Sequence, residues 1–117
     1  MGDMKTLDQI RLEPNERAAI EAAAVVLRDK LPITQIILFG SKARGDDSDE
    51  SDIDLLLLTN RRLSWDEEKQ VVHLLYPLQL EYDVLFGTIE VPEDEWYHGI
   101  YQALPLRTEV ERDGVAA

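Results

Sequence analysis

Apolar positions recur at helical spacing through PNERAAIEAAAVVLRDKL, where Ile20, Ala24, Leu27 and Leu31 fall on one stripe. Pro14 suits a first-turn position. Glu16 sits near the positive end of this helix, and Arg28 and Lys30 sit near the negative end. Pro32 ends it. The β-branched run ITQIILF, residues 33–39, predicts a strand closed by Gly40. A second strand is expected over Asp54 to Leu58, DLLLL, and its lack of polar alternation predicts burial on both faces. In SWDEEKQVVHLLYP, Ser64 and Glu67 form a capping box, and Pro77 is expected to stop the helix after Tyr76. LEYDVLFG, residues 80–87, reads as a third strand. PEDEWYHGIYQAL reads as a last helix with Trp96, Ile100 and Leu104 on one side. Residues 1–12 are weakly patterned and read as an N-terminal arm, leaving 13–117 as a single domain; the charged tail from Pro105 shows no clear element.

The order α, β, β, α, β, α predicts a layered α/β domain with a small mixed sheet and flanking helices. Only about a dozen residues join the first two strands, too few for the usual crossover helix. Those strands should therefore be antiparallel or strongly splayed.

Composition narrows the partners. The chain has 117 residues, 44% of them hydrophobic, enough for one core. Its formal charge of −12 leaves no basic footprint for a nucleic acid backbone and disfavours an anionic membrane. A macromolecular partner would be basic. There is no cysteine, and no apolar run approaches the ~18 residues of a membrane span, so a cytoplasmic protein is expected.

The chemistry gathers in ILFGSKARGDDSDESDIDLLLL, residues 37–58. Asp46, Asp47, Asp49 and Glu50 suit a solvated loop. Asp52 and Asp54 differ, because they alternate with Ile53 at the mouth of a core strand and so share one face. They are either the last members of the loop or a site for a hard divalent cation such as Mg²⁺. A calcium loop starting at Asp47 fails, with Asp52 where glycine is required and Leu58 where glutamate is required. Gly40 to Gly45 has the glycine spacing of a P-loop, but Asp46 and Asp47 follow instead of Lys and Ser or Thr. Even so, Gly40 lets backbone approach a ligand closely, and Ser41 adds a hydroxyl and an N–H at the start of a short helical turn. Lys42 and Arg44 are the nearby cations. His73 and His98 read as structural or surface residues, and Trp65, Trp96, Tyr97 and Tyr101 as core or interface. An exposed patch of Trp96, Tyr97 and Tyr101 would mark a partner site.

The stretch GSKARGDDSDESDIDLLLL resembles the G-S-x-A-R-G and S-D-x-D-L signature of the nucleotidyltransferase superfamily, which includes DNA polymerase β and kanamycin nucleotidyltransferase. The resemblance covers roughly residues 36–110, and the short chain looks like the minimal nucleotidyltransferase (MNT) subgroup. It implies a polymerase β palm-like nucleotidyltransferase fold. It also implies phosphate binding at Gly40 and Ser41, with Arg44 supporting the turn or touching a phosphate, and two Mg²⁺ ions on Asp52 and Asp54. A third carboxylate on a later strand would be Asp83 or Glu81, with Asp83 favoured as metal ligand and proton acceptor. The implied activity is transfer of AMP from ATP to a tyrosine of a helical HEPN toxin, making the chain its antitoxin. The alternatives are an antitoxin that acts by binding alone and a nucleotidyltransferase with a small-molecule acceptor.

Overall fold

The uninterrupted Leu55–Leu58 run requires apolar cover on both faces, and the fold supplies it. A computed structural model describes residues 4–46 and 51–117; Asp47, Asp49 and Glu50 lie outside them. In chain order the elements are β1 (Lys5–Thr6), α1 (Pro14–Lys30), β2 (Ile33–Phe39), α2 (Ser41–Arg44), β3 (Ile53–Thr59), α3 (Trp65–Tyr82), β4 (Phe86–Pro92), α4 (Glu93–His98), α5 (Pro105–Asp113) and β5 (Val115–Ala116). Short 3-10 turns occupy Leu7–Gln9 and Ile100–Ala103.

The sheet has five strands in the order β1-β5-β2-β3-β4. It is mixed: β2 runs antiparallel to β3 and to β5, while β4 is parallel to β3 and β1 is parallel to β5. The expected antiparallel pairing of the first two long strands is therefore present. Alternate residues of the central strands enter two cores. Ile36, Leu38, Ile53, Leu55 and Leu57 meet α1 and α3, whereas Ile37, Phe39, Leu56 and Leu58 meet Trp96 of α4 and Val110 of α5.

Four expectations need correction. Pro77 does not end α3, which continues to Tyr82. Proline removes one N–H and crowds the preceding turn. Here Pro77 is exposed, Val71 and Leu75 are buried, and Leu74 and Leu78 pack on the core, holding the helix on both sides of it. Asp83 terminates the helix in the left-handed conformation at φ 56, ψ 54, which aspartate tolerates better than most residues. The third long strand is consequently Phe86–Pro92 rather than residues 80–87.

The predicted last helix breaks at Gly99 after His98, so Ile100 is exposed instead of joining a stripe with Trp96. The N-terminal arm, as far as it is described, belongs to the fold: β1 pairs with β5, and Leu7, Ile10 and Leu12 pack on the first core. The tail forms α5 and then β5, which inserts between β1 and β2. No described helix is long and apolar enough to cross a membrane.

Candidate active site

Register assembles the site. Antiparallel pairing sets Phe39 against Asp54, so Gly40 leaves β2 directly beside the mouth of β3. Parallel pairing sets Gly87 of β4 against Asp54 from the other side. Asp54 therefore has a glycine on each flank. A Cβ at Gly40 would collide with Asp54 Oδ2, and one at Gly87 would lie 3.1 Å from Oδ1 and 3.9 Å from Oδ2 of Asp52. Gly40 adopts φ 78, ψ −159, a backbone region essentially reserved for glycine. From there the chain turns straight into α2, which places the Ser41 N–H and hydroxyl at the same end of the sheet.

The electrostatics are uneven across this turn. Asp52 is exposed and Asp54 half-buried. Burial pushes the Asp54 carboxyl up from its ordinary pKa, the negative charges of Asp52 and Glu109 push it further, and Arg44 only partly offsets them. Among the described residues, no hydrogen bond or ion pair reaches the Asp54 carboxylate. Arg44 is engaged with other acids: its Nε donates to Asp46 Oδ2 at 3.2 Å, and its Nη1 lies 3.9 Å from Glu109 Oε2 of α5.

Lys42, the other cation of the turn, points away. It is 1% exposed and its Nζ donates to Glu16 Oε2 in a buried ion pair. Glu16 also accepts from the Glu13 backbone N–H at 3.0 Å, which ties the start of α1 to the glycine turn.

The expected site residues are thus partly brought together. Gly40, Ser41, Arg44, Asp52 and Asp54 share one end of the sheet. Asp83 does not join them: it caps α3, is exposed, and lines a hollow with Ser51 and Ile53. Ile53 points to the sheet face opposite Asp52 and Asp54. Glu81 is exposed on α3. Because α3 runs on to Tyr82, the strand position facing Asp54 falls to Gly87. The one carboxylate on β4, Glu90, lies three residues further and faces the other side of the sheet. Among the described residues, no group of three acids or histidines could hold a metal alone. Two carboxylates nevertheless suit Mg²⁺, which takes oxygen ligands and is commonly held by one or two carboxylates plus substrate phosphates.

Two contributors escaped the sequence reading. Gly87 carried a signal, since an isolated glycine within a strand often marks close approach of another group. Glu109 carried none, because only the fold brings α5 to this edge.

The family model described as polymerase beta, nucleotidyltransferase matches residues 21–102, well over half of the chain. The chain belongs to that family. This nucleotidyltransferase is 38% identical over 66 residues to a Methanocaldococcus jannaschii protein provisionally named a protein adenylyltransferase. The match covers 56% of the chain and 65% of that relative, just under two thirds of its length. Among solved structures, one provisionally named a minimal nucleotidyltransferase superposes with a TM-score of 0.60 at 22% identity, covering 97% of this chain and 98% of that one. A chain from the complex of tri-AMPylated Shewanella oneidensis HEPN toxin with MNT antitoxin gives a TM-score of 0.50 at 22% identity, covering 87% and 67%. These likenesses establish the fold.

Proposed function

We propose that this nucleotidyltransferase is a cytoplasmic, Mg²⁺-dependent protein adenylyltransferase that moves AMP from ATP to a tyrosine hydroxyl of a HEPN toxin and thereby acts as its antitoxin. The observation that carries the reading is the Asp52–Asp54 pair, its charge only partly offset by Arg44, facing the Gly40–Ser41 turn. The names borne by the Methanocaldococcus relative and the Shewanella complex support the donor and the partner.

In this reading Asp52 and Asp54 hold the divalent cation. When bound, that ion would neutralise the carboxylates and the triphosphate together and lower the cost of charge building at the α-phosphorus. Gly40 admits the phosphates because it has no Cβ. Ser41 donates to them from its N–H and hydroxyl, and Arg44 supplies the positive charge beside them. The acceptor oxygen forms a bond to the α-phosphorus, the bond to the bridging oxygen breaks, pyrophosphate leaves, and the acceptor proton passes to water.

The test uses the chain, Mg²⁺, α-labelled ATP and the product of the adjacent gene. Label should reach that protein and vanish with Asp52→Asn/Asp54→Asn. A wild-type chain that transfers no label while still binding the toxin would replace this reading with that of an antitoxin acting by binding alone. One observation favours the second reading: β4 offers Gly87 at the site, and Asp83 lies elsewhere, so the third carboxylate of the family is not assembled.

A further inference from the structure

Trp96, Tyr97 and Tyr101, read as core or interface, do not form an exposed patch. Trp96 is 2% exposed and packs in the second core with Tyr97 and Tyr101 against it. A run of exposed apolar residues lies instead along α3. Trp65 is 70%, Val72 64%, Tyr76 55% and Leu80 68% exposed. Their spacing of seven, four and four residues places them on one helical face over roughly 22 Å. A helix that packs its inner face on α1 and the sheet has no folding reason to keep a second apolar face in water.

At its C-terminal end this face opens into a hollow of about 770 Å³, lined by Tyr76, Leu80 and Leu85 among others. Its charged lining residues are Glu13, Glu16 and Asp83, all acids. Glu16 is already matched by Lys42, which leaves Glu13 and Asp83 at the exposed rim. Helix α3 itself carries four carboxylates and one lysine, and that lysine, Lys69, lies over the Trp65 ring at 5.4 Å.

We propose that the outer face of α3 and the acidic hollow at its end form the docking surface for a basic amphipathic helix of the partner protein. Its apolar side chains lie over Val72, Tyr76 and Leu80, and a lysine or arginine enters the hollow between Glu13 and Asp83. Charge selects this occupant. A second copy would bring another −12 and the same acidic rim, and an anionic membrane would meet carboxylates where it needs cations. The inference rests on the toxin-partner reading above and adds where that partner sits.

The experiment titrates the purified product of the adjacent gene into the full chain by calorimetry, with Val72→Glu/Leu80→Glu and Glu13→Lys/Asp83→Lys as variants. All four positions are exposed, and unchanged melting curves would check that the variants fold. Binding is expected to weaken about 30-fold or more in the first variant, the scale of a hot-spot loss. In the second it should weaken about 10-fold and lose much of its salt dependence. Trp65 emission should shift to the blue in the wild-type complex as its ring leaves water. A complex that forms equally well with Val72→Glu/Leu80→Glu overturns the docking surface and leaves the partner reading standing. Absence of any complex with the wild-type chain overturns both. Concentration-dependent self-association of the chain alone, abolished by Val72→Glu/Leu80→Glu, would also overturn the proposal in favour of a second copy.

Discussion

Two carboxylates near the glycine turn meet opposite fates. Glu16 lies on the α1 side, 7% exposed, and receives the buried Lys42 ammonium and the Glu13 N–H. Asp54 lies on the other side, half-buried beside Asp52, with Arg44 drawn towards Asp46 and Glu109. Of the two cations of the turn, Lys42 is paired with Glu16. Glu16 is part of the scaffold. Burial, and then the charges of Asp52 and Glu109, raise the Asp54 pKa, so its ionised carboxylate costs the fold stability. In the proposed reading the chain neutralises Glu16 internally and leaves Asp54 to a bound cation.

The largest effect should come from breaking the internal pair. Lys42→Ala leaves Glu16 as a buried, unpaired charge, and unfolding by urea should show a loss of about 3–5 kcal/mol. A combined Glu16→Gln/Lys42→Met chain should recover part of that loss. No recovery would mean that Lys42 acts through other contacts.

Next comes Asp54→Asn, where the sign reverses. Because the folded pKa is raised, the wild-type chain loses stability as pH rises from the ordinary value of 3.8 through the folded value, and the cost is complete above it. The asparagine variant should therefore melt higher than wild type at pH 7, and the advantage should vanish in acid below 3.8. Nucleotidyl transfer should fall on the order of 10²–10³-fold or more, the scale of losing one preorganised electrostatic group.

Gly87→Ala tests the open flank of Asp54. Its Cβ, 3.1 Å from Oδ1, should weaken Mn²⁺ binding by up to about 10-fold in a calorimetric titration, with stability changed by less than about 1 kcal/mol. The smallest effect is a control remote from both acids. Ser64 accepts the Glu67 N–H at 3.2 Å as the N-cap of α3, and Ser64→Ala should cost about 1 kcal/mol without altering cation binding.

The same contrast explains what was legible in the sequence. The glycine turn, the aspartate pair and both central strands were readable because each rests on local signals: a β-branched run, a glycine, and period-two alternation of Asp52 and Asp54. The end of α3 was not. Proline is a strong local stop, but the core contacts made by Val71, Leu75 and Leu78 outweighed it, and that balance is tertiary. Misplacing the helix end by six residues moved the expected third carboxylate from a strand to a cap. Lys42 was equally opaque. A lysine two residues past a phosphate-type glycine suggests a ligand contact, and only the packing of α1 against the turn turns it towards Glu16.

The most direct measurement is thermal unfolding of the wild-type chain and Asp54→Asn with and without Mn²⁺ at pH 7. If the Asp52–Asp54 charge is held for a cation, the wild-type melting temperature should rise and saturate with Mn²⁺, while the variant starts higher and does not respond. Equal responses from both chains, or none from the wild type, would contradict the account.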